Sequence, residues 1–164
     1  MRSIGNTLKK HTITFGFPDK ETLEALGRLV IMQAHLEYIF KMTYKSLNEL
    51  SISEALKLTE RDTGAIIRKD IQKIAKRKLC AGSVLTQLLD LIDRAWKAAM
   101  LRNQYVHNIW ARLDFADLQL QNNDWSWRKA PEKQEISDLT YEISNILAML
   151  NDLRFSEDFK KSFK

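Results

Sequence analysis

The sequence predicts an all-α fold, a bundle of four to five helices with a small β-hairpin between the last two long helices. The chain has 164 residues, of which only five are Gly and two are Pro, and this scarcity of helix-breaking residues favours long helices. Apolar residues recur at three- and four-residue steps over four long stretches, as in amphipathic helices. We therefore expect a single domain over residues 1–164, with an irregular N-terminal segment at 1–18 and a C-terminal tail at 155–164.

The first predicted helix begins near Asp19, whose carboxylate can accept hydrogen bonds from the first turn, and runs to about Leu47. Before it, residues 12–15 are a candidate short strand. One apolar stripe of this helix consists of Leu23, Leu26, Val30 and Ala34, and a second consists of Leu29, Met32, Leu36 and Ile39. Because a helix that is apolar on two sides is buried on two sides, we expect it at the centre of the bundle or at a subunit interface.

The second predicted helix starts at Ser51 or Ser53 and extends to about Leu79, with Gly64 as a candidate break. Its inner face is apolar. A neighbouring outer face, the basic stripe, consists of Lys69, Lys73, Lys76 and Arg77. Two interpretations of this stripe stay open: a solvated helix face, which is the usual role of a charge run, or a surface that follows the phosphates of RNA.

The third predicted helix runs from about Ser83 to His107 and changes character at its C-terminal end. Its apolar residues recur at three- and four-residue steps until Arg102 falls in line with them. On the next stripe, Asn103 and His107 follow aliphatic and aromatic residues in the same way. An arginine keeps its charge, so its burial requires a partner. We therefore expect a functional site in the last two turns of this helix.

A β-hairpin is predicted after this helix, with strands at residues 117–121 and 124–128 around Asn122 and Asn123. Apolar and polar residues alternate in both strands, and an Asn-Asn pair tolerates the positive φ of a tight turn. Two roles stay open for the hairpin side chains Trp125, Trp127 and Arg128. They either stack on nucleic-acid bases or pack against the bundle.

The fourth predicted helix begins after Pro131, a common first-turn residue, and carries a continuous apolar stripe from Ile136 to Leu153. The tail from Phe155 onward is expected to fray, with Phe155 and Phe159 as candidates for docking on the bundle.

Composition and charge indicate the compartment and the partner. The formal net charge is +5 and the sequence pI is about 9.3, which favours an anionic partner such as RNA. Cys80 is the single cysteine, which excludes an internal disulfide and points to a reducing compartment. The longest uncharged run, residues 79–89, is too short to cross a bilayer, and no secretory signal is visible in residues 1–10. We expect a cytoplasmic protein with no membrane partner.

Neither a metal nor a cofactor is expected. The imidazole and thiol groups belong to His11, His35, His107 and Cys80, and no two of them have a recognised zinc-ligand spacing. The sequence has no phosphate-binding Walker A loop and no dinucleotide-binding Gly-x-Gly-x-x-Gly turn. It also has no Gly-x-Ser-x-Gly elbow for a nucleophilic serine.

The run Arg102-Asn103-Gln104-Tyr105-Val106-His107 resembles the R-x4-6-H motif of the HEPN (higher eukaryotes and prokaryotes nucleotide-binding) superfamily, in which a polar residue, often Asn, follows the arginine. The predicted bundle, with the motif closing its third helix, is similar too. The resemblance implies metal-independent RNA cleavage, in which a 2′-hydroxyl attacks the adjacent phosphorus and leaves a cyclic phosphate and a 5′-hydroxyl. In that chemistry His107 is the general acid and base, Arg102 binds the phosphoryl oxygens, and Asn103 orients the ring or the phosphate.

The family commonly builds its site between two protomers, so the resemblance also implies a homodimer with the site at the two-fold interface. It further implies a toxin or defence effector, with an antitoxin or another regulatory protein as a partner. A toxin subset of the family carries a tyrosine two positions after the histidine, as a modification target for a nucleotidyltransferase antitoxin. Ile109 occupies that position here, so this mode of control is not implied.

Arg102 and His107 are five residues apart, about 140° around an ideal helix, and therefore do not share a face. They converge only if the helix end deforms, if the long arginine wraps around the helix, or if a second subunit completes the cleft. A structural interpretation also stays open, with Arg102 paired to a carboxylate such as Glu37 and His107 capping carbonyls at the helix end. The alternative function is a non-catalytic HEPN-like helical dimer that binds a nucleotide or a protein partner.

Overall fold

The computed structural model describes residues 12–114 and 116–164. In chain order these residues form β1 (Ile13–Phe15), α1 (Lys20–Asn48), α2 (Ile52–Leu58), α3 (Gly64–Lys78), α4 (Ser83–His107), β2 (Trp110–Leu113), β3 (Leu118–Gln121), β4 (Trp127–Lys129), α5 (Lys133–Phe155) and α6 (Glu157–Lys161). The fold is mainly helical, as predicted, with a small antiparallel sheet. Most of the predicted irregular N-terminal segment, including His11, lies outside the described residues. None of the described helices is both long enough and apolar enough to span a membrane.

Helix α1 begins and ends close to its predicted bounds and contacts α2, α3, α4 and α5. The Asp19 carboxylate accepts a hydrogen bond from the Thr22 N–H at 2.8 Å, which caps the first turn. At the other end Glu49 adopts a φ of 55° and stops the helix. Leu29 and Leu36 are fully buried. The central position predicted for this helix is therefore confirmed on the side that carries these two leucines.

The second predicted helix is in fact two helices. Ser51 and Glu54 form a capping box at the start of α2, so Ser51 rather than Ser53 is the cap. The chain leaves the helix after Leu58, and α3 starts at Gly64, the predicted break. The inner face of α3 is buried as predicted, through Ile67, Ile71 and Ile74.

The C-terminal tail packs on the core and is not frayed. It forms α6, where the Ser156 hydroxyl accepts a hydrogen bond from the Phe159 N–H at 3.1 Å. Phe159 is 2% exposed and meets Phe163 edge to face, with ring centroids 5.5 Å apart. Fraying would return this apolar surface to water, and its burial instead holds the tail in place. Docking of Phe159 is thus confirmed, whereas Phe155 is exposed.

The predicted hairpin is present as β3 and β4, but it belongs to a four-stranded antiparallel sheet in the order β1-β2-β3-β4. The candidate strand at residues 12–15 is confirmed as β1, which pairs with β2. The predicted helical fold is therefore confirmed, but its β part is a four-stranded sheet and not a lone hairpin. Strand β2 was not predicted because it is four residues long and begins three residues after α4 ends, too short a run for an alternating pattern to stand out.

The hairpin loop is wider than the predicted Asn-Asn turn. Gln121 pairs with Trp127, so residues 122–126 form the loop. The Asn122 N–H donates to the Ser126 carbonyl at 2.7 Å, and the Asp124 carboxylate accepts from the N–H and the hydroxyl of Ser126. These bonds close a longer loop, in which the positive φ falls on Trp125 rather than on either asparagine.

Candidate Arg-His active site at the end of α4

The C-terminal end of α4 carries the predicted catalytic residues and is fixed by two hydrogen bonds. The Asn108 N–H donates to the Gln104 carbonyl at 3.3 Å, which closes the last turn. The indole N–H of Trp110, in β2, donates to the Tyr105 carbonyl at 2.9 Å. Carbonyls in the last turn of a helix lack intrahelical partners, so the indole supplies one and ties the sheet to the helix. His107 is therefore presented from a well-defined helix end.

Arg102 and His107 come together within one chain. Arg102 Nη1 lies 3.3 Å from His107 Nε2 and donates a hydrogen bond to Asn103 Oδ1 at 2.9 Å. Because α4 stays helical to His107, the arginine reaches the ring by wrapping around the helix, the second of the three predicted routes. A guanidinium can only donate, so Nε2 accepts in this contact.

The Arg102–His107 pair is accessible and forms no ion pair with a carboxylate of residues 12–114 or 116–164. His107 and Asn103 are exposed and Arg102 is half-buried, with its Nε buried and without a hydrogen-bond partner. Among the described residues, no carboxylate forms a salt bridge with Arg102. Glu37, the expected structural partner, instead accepts a hydrogen bond from Gln33 at 3.3 Å. The charge of Arg102 is therefore available to an external anion.

A second arginine, Arg128 in β4, contacts the end of α4 at Gln104 and Tyr105. Arg128 Nη2 donates to Gln104 Oε1 at 3.2 Å, and its guanidinium lies 5.7 Å from the centre of the Tyr105 ring. Tyr105 is 4% exposed, and burial raises the pKa of its hydroxyl, with the charge of Glu135 adding to the effect. Of the two roles left open for the hairpin side chains, Arg128 therefore has the structural one, packing against the helical bundle. Its contact with Gln104 was not predicted, since no spacing rule links residues 24 positions apart.

The basic stripe does not join the Arg102–His107 pair. Its four residues are exposed, and none forms a salt bridge within the described part of the chain. The neighbouring Arg68 lies over the Trp96 ring, 4.3 Å from its centre, which sets this part of α3 beside the middle of α4. Arg102 follows Trp96 by six residues, about 9 Å along a helix. Only four residues connect α3 to α4, so the two helices run antiparallel. From that level the stripe therefore extends toward the start of α4, away from the pair.

An apolar cleft of ≈ 470 Å³ lies at the end of α4, and Val106 and Ile109, on either side of His107 in the chain, line it. It lies between the outward stripe of α1, the chain before α1 and the end of α4, and its lining includes Phe15, Phe17, Leu23, Val30, Val106 and Ile109. Phe17 is 88% exposed and Val30 is 39% exposed. The stripe predicted through Leu23 and Val30 is therefore exposed in the single chain, whereas the stripe through Leu29 and Leu36 is buried. Val106 and Ile109 carry the apolar surface up to His107.

The comparisons with known proteins give no support for a family. Searches with the chain against protein-family models, curated proteins and solved structures found no match. Within the described residues, no group of three or more His, Cys, Asp or Glu side chains is placed to hold a metal ion. The functional proposal therefore depends on the motif and on its geometry.

Proposed function

We propose that this protein is a HEPN-like endoribonuclease that cleaves RNA without a metal ion. The contact of 3.3 Å between Arg102 Nη1 and His107 Nε2 carries the proposal. It sets a permanent positive charge beside a proton-transfer group, on a surface open to a polymer. The basic stripe and a net charge of +5 add electrostatic attraction for the RNA backbone.

In the proposed reaction the scissile phosphate binds the Arg102 guanidinium and draws Nη1 away from His107 Nε2, whose lone pair then faces the adjacent 2′-hydroxyl. The neutral ring accepts the hydroxyl proton as the O2′–P bond forms. Arg102 binds the non-bridging oxygens, whose negative charge grows in the transition state, and Asn103 orients the guanidinium through its bond of 2.9 Å. The P–O5′ bond breaks, and the imidazolium returns its proton to the 5′-oxygen. The products are a 2′,3′-cyclic phosphate and a 5′-hydroxyl.

The proposal includes a homodimer that buries the apolar cleft. A contiguous exposed apolar surface is typical of an interaction site, and this one continues into the helix end that carries the pair. A second copy on this face brings two Arg102–His107 pairs to one two-fold interface. Val30→Glu introduces a charge on the exposed stripe and should give a monomer in light scattering, whereas the exposed-site control Lys57→Glu should not. A wild type that is monomeric, or a Val30→Glu variant that stays dimeric, would exclude this interface.

The decisive experiment is an RNA cleavage assay in EDTA. Wild type is compared with His107→Ala and Arg102→Ala, and with the matched controls His35→Ala and Arg61→Ala, whose side chains are exposed and lie outside the Arg102-to-His107 run. We expect wild type and the controls to release 2′,3′-cyclic phosphate ends, and both site variants to lose this activity. Cleavage that is equal in all five proteins, or absent from all, would reject the enzyme. The alternative, a non-catalytic dimer that binds a nucleotide or a protein partner, would then be favoured.

The proposed setting is the cytoplasm, and the proposed role is a toxin or defence effector. Cys80 is exposed and unpaired, a state that a reducing compartment maintains. Expression of wild type should slow growth, and expression of His107→Ala should not. An antitoxin or another regulatory protein would then act by covering the exposed pair. Modification of the nearby Tyr105 would not serve, because this residue is buried.

A further inference from the structure

A second recess, which we call the amide pocket, opens directly beside His107. Its volume is ≈ 300 Å³, at the lower end of the range for small-molecule sites. Four carboxamide side chains line it, those of Asn108, Gln121, Asn122 and Asn123, together with Trp125 and His107. No described residue with a formal charge lines this pocket. It is therefore a neutral, amide-rich space that shares a wall with the candidate active site.

Most of these carboxamides have unused hydrogen-bonding groups. The Nδ2 of Asn108 is buried and has no partner. The side chains of Gln121 and Asn123 make no hydrogen bond to any residue that the structure describes. Asn122 differs, because its Nδ2 donates to Ser126 Oγ at 2.9 Å and fixes the loop. A carboxamide presents both a donor and an acceptor, so the accessible side chains of Gln121 and Asn123 are free to bind a ligand edge that offers the complementary pair.

Trp125 forms an aromatic wall at the mouth of the pocket. Its side chain is 78% exposed, so it contributes little to the core. Its backbone has a φ of 67°, a conformation that is unusual for a bulky residue. Hydrogen bonds hold it there, since its N–H donates to the Asn122 carbonyl at 3.0 Å and Asp124 binds Ser126. An exposed indole in a fixed loop is a surface on which a nucleobase can stack.

We infer that the amide pocket binds the unpaired nucleobase next to the scissile phosphate, with adenine preferred. This inference rests on the proposed ribonuclease function and deepens it. In the major groove of duplex DNA, Asn and Gln pair with N6 and N7 of adenine, Arg or Lys with guanine, and Asp or Glu with cytosine. An unpaired base exposes this same edge. The pocket contains amides and none of those charged side chains. His107 belongs to both sites, so a base held here places its own ribose and phosphate at the catalytic pair.

The test uses DNA oligonucleotides that contain one ribonucleotide, so that a single phosphate can be cleaved. The base on each side of this linkage is varied through all four. We expect wild type to cleave an adenine-flanked linkage about five- to 150-fold faster, in kcat/KM, than the others, as one good bidentate contact predicts. Trp125→Ala and Asn123→Ala should remove this preference. Tyr141→Ala removes an exposed aromatic ring from α5, outside the pocket, and should keep it.

The outcomes separate this inference from the proposed function. Cleavage with no base preference, or a preference that survives Trp125→Ala, would overturn the amide pocket and leave the ribonuclease intact. If no linkage is cleaved, binding of adenosine 5′-monophosphate is followed by indole fluorescence, with Trp125→Phe as the reference. Quenching that Asn123→Ala weakens would support the pocket while the ribonuclease fails. No quenching, or equal quenching by uridine 5′-monophosphate, would overturn the pocket.

Discussion

The indole N–H of Trp110 donates a hydrogen bond of 2.9 Å to the carbonyl of Tyr105, and this bond joins the sheet to the helix that carries the candidate site. Trp110 is held in β2 by its pairing with Leu120. Tyr105 lies between Arg102 and His107 in the motif. The bond satisfies a carbonyl that the helix itself cannot pair. Since the 3.3 Å contact between Arg102 and His107 depends on an intact last turn, the sheet helps to fix the geometry of the candidate site.

Trp110→Phe tests this positioning role. The variant keeps an aromatic ring but leaves the Tyr105 carbonyl without its donor, so we expect a loss of about 1 kcal/mol in the free energy of unfolding. RNA cleavage should fall further than stability explains, by up to about 100-fold, because small displacements of catalytic groups are costly. Denaturant unfolding and single-turnover cleavage measure the two effects. Trp127→Phe is the control, and equal activity of both variants would rule out a role for the Trp110 bond.

Arg102→Lys tests whether the site requires the planar guanidinium group or only a positive charge. Lysine keeps the positive charge but lacks the planar fork that binds two phosphoryl oxygens. We expect Arg102→Ala to lower kcat by about 10²–10³-fold, the usual cost of losing a donor to a developing oxyanion, and Arg102→Lys to fall between wild type and Ala. Low concentrations of guanidinium should partly restore Arg102→Ala and leave His107→Ala inactive. A fully active Arg102→Ala would remove Arg102 from the mechanism.

The basic stripe should act on affinity and not on the chemical step. Each Lys contact with a single-stranded backbone contributes about 0.7 to the slope of log K against log salt. Lys73→Ala should therefore weaken RNA binding uniformly across sequences and reduce this slope by about that amount. Fluorescence anisotropy at several salt concentrations measures it, with the exposed Lys57→Ala as control. A slope unchanged by Lys73→Ala would identify the stripe as a solvated face.

The hairpin loop carries a carboxylate whose titration reports on loop closure. The Ser126 hydroxyl, and then the Ser126 N–H, hold the pKa of Asp124 below its ordinary value of 3.8. A depressed folded-state pKa stabilises the loop above the unfolded-state pKa, and this contribution is lost as the pH falls through the folded-state value. Ser126→Ala should therefore raise the pKa of Asp124 in a carboxyl NMR titration. Glu54, held low by Ser51, should not change, and an unmoved Asp124 would contradict the bond.

Local sequence patterns predicted the long helices. They did not predict the elements whose structure depends on pairing or side-chain bonds outside a short window. The bounds of α4 follow from an apolar repeat that stops at His107, and those of α1 from the cap Asp19. Strand β2 depends on pairing between Phe15 and Ala111, which are far apart in the chain and leave no signal in a short window. The wide hairpin loop likewise depends on side-chain bonds of Asp124.

The candidate site was likewise only partly predictable from the sequence. The motif identified Arg102 and His107, but their angular separation on a helix left three routes to contact. A side-chain conformation selects one of these routes, and residue spacing does not encode it. The bracing by Arg128 and the amide pocket beside His107 come from β3, β4 and their loop, so they emerge only when the sheet folds onto the helix end.

The final prediction concerns Trp125. Its backbone conformation lowers the stability of the protein, whereas its indole is proposed to bind the base. A φ of 67° costs a residue with a Cβ about 1–2 kcal/mol, and glycine avoids most of this cost. Trp125→Gly and Trp125→Ala both remove an indole that is 78% exposed, yet the Gly variant should be the more stable by about 1 kcal/mol in chemical denaturation. Both variants should lose the adenine preference equally. A Gly variant that keeps the preference would show that the indole does not hold the base, and an Ala variant as stable as Gly would show that the loop relaxes at no cost.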